Sequence, residues 1–195
     1  MPKPHRPSAL PLWLIAFLLV FGMSVRLATQ KGDTILALDR IHSPELDVFF
    51  VTFTHLGDAL PYWAFSILLL FVRVRYALTT ALLGISTLPV TGSLKAAFGH
   101  PRPYTWFGEA DLLHLLTPVE RITLYDAFNS FPSGHTLAAF TLFTFLALIA
   151  PRIWQQVACI TIAAFVGISR MYLHFHFLED VLFGALCGTV LAVAG

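Results

Sequence analysis

Long apolar runs separated by short polar breaks dominate the chain, and the positions of the breaks predict its helices. Residues 9–26 form a continuous oily run with Pro11 and Trp13 near its start. Val25-Arg26-Leu27-Ala28 is a poor cleavage site, so the run predicts a retained membrane helix rather than a signal peptide. From 33 to 53 the pattern changes. Ile35, Leu36, Leu38, Ile41, Leu46, Phe49, Phe50 and Phe53 alternate with Asp33, Asp39, Arg40, Glu45 and Asp47, which predicts an amphipathic segment lying at the membrane interface. Residues 59–73 make a second apolar run with Tyr62 and Trp63 as interface anchors. It falls short of the ~20 residues expected of a span, so its start is poorly determined. Runs at 76–94, 132–150, 153–168 and 176–195 follow, the third span bent at Pro89 and the fourth opened by Pro132 in its first turn. A polar loop, 96–131, separates these two. The pattern predicts an all-α integral membrane bundle of six helices, with residues 1–195 as a single domain.

Composition agrees with that picture. The 195 residues are 57% hydrophobic and only 12% charged, with 18 Phe, which indicates a polytopic membrane protein rather than a soluble domain. A net charge of +1 gives no sign of a nucleic-acid partner. Cys159 and Cys187 lie within apolar runs and match no metal or redox spacing. Charge distribution is more informative than its sum. With the N-terminus placed in the cytoplasm, Lys3, Arg6, Arg73, Arg75 and Arg152 fall on the cytoplasmic side with no acidic residue, and all 11 acids fall on the other. That positive-inside pattern predicts six crossings of the plasma (inner) membrane with both termini cytoplasmic.

This topology gathers three polar blocks on the outer face: Lys95 to Pro103, Pro132 to His135, and Ser169 to Asp180. In the last block, Ser-Arg-Met-Tyr-Leu-His-Phe-His-Phe-Leu-Glu-Asp, ionisable groups sit between two apolar runs. His176 and Asp180 are four apart and share one face of a helix. Read alone, the block fits either a carboxylate-held catalytic imidazole or polar residues capping a membrane helix. The three blocks together have a coherent chemistry. Lys95, Arg102 and Arg170 are fixed positive charges suited to phosphate oxygens. Ser133 and Gly134 stand at a helix start, where free N–H groups favour an anion. His135 and His176 offer the nucleophile and separate proton donor that cleavage of a phosphate ester requires without a metal. No run of Asp, His and Glu is spaced for Mg²⁺ or Zn²⁺.

Lys95-x6-Arg102-Pro103, then Pro132-Ser133-Gly134-His135, then Ser169-Arg170-x5-His176-x3-Asp180 resembles the three-part signature of the type 2 phosphatidic acid phosphatase superfamily, matching in order and spacing with no specified position missing. The resemblance implies that His176 attacks phosphorus and becomes a phosphohistidine, with Asp180 holding its far nitrogen. His135 would protonate the leaving oxygen and then activate water. Lys95, Arg102, Arg170, Ser133 and the Gly134 backbone would hold the phosphoryl oxygens. It further implies no cofactor and an active site on the periplasmic or extracellular side. The substrate implied is a phospholipid or polyprenyl phosphate monoester or pyrophosphate. Small size points toward bacterial members and toward undecaprenyl pyrophosphate or phosphatidylglycerol phosphate, with lipid A phosphate and phosphatidic acid as alternatives. Two other classes share the scaffold. Vanadium haloperoxidases are soluble, which this composition opposes, and a non-catalytic lipid-binding or transport protein would not be expected to keep His176, Asp180 and His135. Outside the signature, His100 reads as a solvated loop residue and His174 as an interface residue. Glu179 is a rival partner for His176, and His55 and Asp58 read as interface polar groups.

Overall fold

A computed structural model of the chain describes residues 8–120 and 122–195, and among these every regular element is helical. Lys3 and Arg6, two of the cytoplasmic charges read from the sequence, lie outside the described residues, as does Arg121 of the polar loop. Helix α1 spans Leu10–Ala28, α2 Asp33–Asp39 and α3 Pro44–Phe53, followed by a 3-10 turn at Thr54–Gly57. Then come α4 Ala59–Leu70, α5 Val74–Phe98, the short α6 Pro103–Glu109, α7 Gly134–Ile149, α8 Ile153–Tyr172 and α9 Leu178–Ala194.

The boundaries that depart from the hydrophobic pattern have local causes. The 33–53 segment is two helices rather than one. Ser43 caps α3 by accepting from the Leu46 N–H at 3.3 Å, and Pro44 suits its first turn. The third predicted span runs on through Lys95 to Phe98, because Ala96, Ala97 and Phe98 continue the helix until Gly99 turns left-handed at φ +57°. The helix is continuous through Pro89. The fourth begins at Gly134 rather than 132, with Ser133 as its cap. The last starts at Leu178, after His176, because the Asp180 carboxylate accepts from the Phe177 N–H at 2.9 Å and fixes the first turn there.

Helix α7 is the axis of the bundle. Every residue from Thr136 to Ala147 is buried, as expected of a helix that is apolar all round. It packs against α8, α9, α5 and the 3-10 turn. Tyr62 of α4 donates its hydroxyl proton to the Ala138 carbonyl at 2.7 Å, and Arg26 ties the end of α1 to Glu179 of α9 at 3.0 Å. Outward, α1, α4 and α5 expose Trp13, Phe17, Phe21, Leu68, Phe71 and Leu82, an apolar surface that belongs in lipid. By length and composition, Leu10–Ala28, the stretch Val74–Glu109 and Ile153–Tyr172 can cross a membrane, and Ala59–Leu70 and Gly134–Ile149 are shorter apolar helices.

Two glycines let α9 lie against the α7 backbone. A Cβ at Gly184 would sit 2.7 Å from the Ser133 carbonyl oxygen, and one at Gly188 would overlap the Leu137 carbonyl. Gly184→Ala is expected to destabilise the protein by about 1–3 kcal/mol, the usual range for overpacking, and to displace Ser133 with it. Gly92, whose Cβ would meet open space, is the control: Gly92→Ala should be neutral or stabilising through helix propensity. Melting temperatures in detergent compare the two, and equal values would contradict the close α7–α9 seating.

Candidate active site

Three segments deliver polar groups to one end of the bundle. The last turn of α5 carries Lys95, and the left-handed Gly99, whose N–H donates to the Lys95 carbonyl at 3.2 Å, turns the chain toward Arg102. Arg102 is fixed from two directions. Its backbone N–H donates to the Ala127 carbonyl at 2.9 Å, and its Nε donates to Asn129 Oδ1 at 2.8 Å. Burial pulls this guanidinium below the ordinary arginine range, while Tyr125 and Asp180 oppose the shift. It keeps its charge, since an arginine does not deprotonate in a protein.

The second segment is the start of α7. Ser133 is fully buried, shares a 2.8 Å hydrogen bond with Thr136 Oγ1, and donates its N–H to the Asp180 carbonyl at 3.0 Å. The start of α7 is thereby pinned to the start of α9. His135, one residue into the helix, places Nε2 2.8 Å from Asp58 Oδ1, and Asp58 Oδ2 lies 2.7 Å from His55 Nδ1. Asp58, read from the sequence as an interface residue, instead contacts both His135 and His55.

The third segment follows α8. Arg170 ends that helix buried, and its carbonyl accepts from the N–H groups of both Phe175 (2.9 Å) and His176 (3.1 Å), so the chain wraps back over the arginine. Its Nη1 donates to Thr54 Oγ1 at 2.7 Å, and its buried Nε has no hydrogen-bond partner among the described residues. Both guanidiniums lie against the Phe175 ring, Arg102 at 5.8 Å and Arg170 at 4.2 Å from its centre. Lys95 is within electrostatic reach of Arg102, Arg170 and Asp180. Two buried arginines and the half-buried Lys95 thus act on one another, and an orphaned donor there suits an anionic oxygen.

His176 is 2% exposed at the centre of this set. Its Nδ1 faces Asp180 Oδ2 and Ser130 Oγ, each at 3.4 Å, and Ser130 donates to the same carboxylate oxygen at 2.5 Å. Nε2 takes no hydrogen bond among the described residues and is the nitrogen left for chemistry. Burial pushes the imidazole down to about 4. Its contact with Asp180 opposes the shift, and the charges of Arg170 and Arg102 add to it. At neutral pH the ring is therefore unprotonated, as a nucleophile must be. Its neighbours across the pocket include His135.

All eight sequence-selected residues converge here. Glu179, the rival partner of His176, points away to Arg26. His100 is exposed beside Phe98 and Phe131. His174 is no interface residue: it is buried at 1% exposure and turns toward Asp39. The sequence missed Ser130, Asn129, Thr54 and Asp58, which hold the selected residues from distant segments; no spacing announces them.

The family model described as the PAP2 superfamily matches residues 60–195. Among curated proteins, lipid phosphate phosphatase 2 of Arabidopsis thaliana is 30% identical over 174 residues, covering 69% of this chain and 60% of that protein. The lipid A 1-phosphatase of Porphyromonas gingivalis is 42% identical over 71 residues, covering 35% of this chain and 16% of that protein. The chain thus spans less than two thirds of the length of either relative. Among solved structures, Aquifex aeolicus LpxE has a TM-score of 0.70 at 28% identity, covering 84% of this chain and 93% of that one. A phosphatidylglycerolphosphate phosphatase from Bacillus subtilis shares the fold, with a TM-score of 0.66 at 22% identity over 96% of this chain and 94% of that one.

Proposed function

This chain belongs to the PAP2 superfamily, and on that premise we propose that it is a metal-independent membrane lipid phosphatase working through a phosphohistidine on His176. The observation that carries the reading is the setting of His176: buried, with Nδ1 turned to Asp180 and Ser130, Nε2 without a hydrogen bond among the described residues, and the charges of Arg170 and Arg102 acting on the ring.

In the first step Nε2 of His176 bonds to phosphorus while the bond from phosphorus to the leaving oxygen breaks, and that oxygen takes a proton from His135. Asp58, whose Oδ1 lies 2.8 Å from His135 Nε2, would stabilise that ring while it carries the proton. Asp180 steadies the positive charge that the phosphorylated imidazole acquires. Lys95, Arg102 and Arg170 take the charge of the equatorial oxygens, together with the N–H groups at the start of α7, where Gly134 presents bare backbone. In the second step water attacks phosphorus, His135 accepts its proton, the P–N bond breaks, and phosphate departs.

The proposed substrate is a lipid phosphate or pyrophosphate monoester. A cleft of about 320 Å³ between α4, α5 and α7 runs from Asp58, Gly134 and His135 to Trp63, Ile85 and Leu88, and would take the first part of an acyl or prenyl chain. The likeness to lipid A 1-phosphatases supports placing lipid A 1-phosphate beside undecaprenyl pyrophosphate, phosphatidylglycerol phosphate and phosphatidic acid as substrates to compare. We place six crossings in the plasma membrane, both termini cytoplasmic and the site outside; exposed Arg73 and Arg75 at the start of α5 and Arg152 in the turn after α7 support that orientation. Phosphate release by the purified protein from these four lipids in detergent tests the reading. Release from at least one, blocked by vanadate, is expected, and no release from any would overturn it.

A further inference from the structure

Beneath the segment that joins α2 to α3 lies a second cluster of chemically able side chains, separate from the phosphate pocket. Asp39 ends α2, His42 follows in the turn, and His174 comes from the other end of the chain, in the link between α8 and α9. Asp39 Oδ1 lies 3.0 Å from His174 Nε2 and 3.9 Å from His42 Nε2, and one ligand atom from each residue lies within 4.8 Å of the others. The two rings are tilted at 31° with centres 5.4 Å apart.

Three features separate this cluster from an ordinary hydrogen-bonded network. Both nitrogens of His42 and both of His174 are buried without a hydrogen-bond partner, although carboxylate oxygens are at contact distance. The rings are close to the carboxylates but not aimed along an N–H···O line. Donor atoms that sit side by side and point at a shared space are what a metal ion requires. Second, the spacing fits. Two ligands each about 2.0–2.1 Å from a tetrahedral ion stand roughly 3.3 Å apart, and the observed 3.0 and 3.9 Å bracket that value. Third, His174 holds a left-handed backbone, φ +57°, which few residues other than glycine adopt readily. A strained backbone that presents a buried imidazole asks for a compensating interaction.

The surroundings supply the outer contacts of a metal site. Thr117 donates its N–H to Asp39 Oδ1 and its hydroxyl to Oδ2, each at 2.8 Å, which fixes the carboxylate. Asp47 Oδ1 lies 3.0 Å from His42 Nδ1, the nitrogen that a ligating histidine turns to a carboxylate. The same Asp47 oxygen accepts from the Tyr172 hydroxyl, and the Tyr172 ring stacks on His42 with centres 4.0 Å apart. A cleft of about 390 Å³ lined by His42, Asp47, Thr117 and Glu120 reaches one of the three ligands from the surface.

We propose that Asp39, His42 and His174 form a site for one divalent transition ion of the Zn²⁺ class, with a fourth position open to water. The ion would staple the α2–α3 turn to the segment that carries His176 two residues later. It lies outside the phosphoryl-transfer steps, so its fate and that of the phosphatase reading are independent.

Co²⁺ is the probe, because its visible d–d absorption reports the coordination geometry. Tag-free full-length protein in detergent is stripped with chelator and titrated with Co²⁺, then competed with Zn²⁺. The expected result is one Co²⁺ per chain with tetrahedral-type bands, displaced by Zn²⁺, and a higher melting temperature with either ion. His174→Gly is the key variant, since glycine takes φ +57° freely and so offsets part of the cost of removing a buried imidazole; its melting temperature without metal checks that it folds. It should lose the bands and weaken binding at least ~100-fold, while Asp47→Asn should weaken it roughly 10-fold. Absence of Co²⁺ binding in the wild type would overturn the proposal. So would binding that persists unchanged in both His174→Gly and His42→Ala.

Discussion

His176→Ala is expected to reduce phosphate release by at least ~10⁴-fold on every substrate the wild type accepts, because it removes the atom that bonds to phosphorus. The loss should lie in kcat, with lipid still bound, since Lys95, Arg102 and Arg170 remain. A second readout separates a missing nucleophile from a damaged pocket. Rapid quench of the wild type with ³²P-labelled substrate should trap label on the protein that is stable to alkali and lost in acid, the behaviour of a phosphoramidate. The variant should trap none. Wild-type turnover in His176→Ala, or label on a different residue in the native protein, would reject the assignment. Folding of the variant can be checked by its melting temperature: burying an alanine in place of a neutral, carboxylate-facing imidazole leaves Asp180 its bonds from Ser130 and the Phe177 N–H.

His135→Ala should give a different signature, one that depends on the leaving group. Departure of a lipid alcohol needs a proton, so losing the donor should slow that step by roughly 10²–10⁴-fold. A nitrophenolate leaves without help, so a nitrophenyl phosphate should still phosphorylate His176 in the variant. Hydrolysis of the phosphohistidine also uses His135 as base, and trapped label should therefore accumulate above the wild-type level. Asp58→Asn should move in the same direction to a smaller extent, because the imidazole survives without its carboxylate 2.8 Å away. If His135→Ala lowered all substrates equally and trapped no label, the two-histidine division of labour would fail.

Much of this architecture could be read from the chain. The apolar runs located the long helices because a lipid-facing or fully buried helix must be oily along its whole length, as α1 and α7 are. The residues proposed to touch phosphate were legible because three short motifs carry them at fixed spacing. What failed to show around the site came from contacts made across long sequence separations. Ser130 donates to Asp180, Thr54 accepts from Arg170, and Asn129 fixes Arg102, and each pairing depends on how helices fold back together. His174 illustrates the same limit. Two residues from His176, it looks like a bystander, and only the fold shows it beside Asp39 and His42. The helix ends were similarly hidden, because capping by Asp180 and Ser133 decides them rather than hydrophobicity.

The ring of Phe175 carries a consequence for what happens after catalysis. The guanidiniums of Arg102 and Arg170 both lie against it. A pocket with its cations fixed in advance relaxes little when its cargo leaves, so it does not distinguish sharply between an ester about to be cut and the free anion left behind. On the proposed function, inorganic phosphate is expected to compete with incoming lipid for the same three charges, which product-inhibition kinetics would show. Turnover on that function would then depend on how quickly the released phosphate is cleared from the side of the membrane that the site faces.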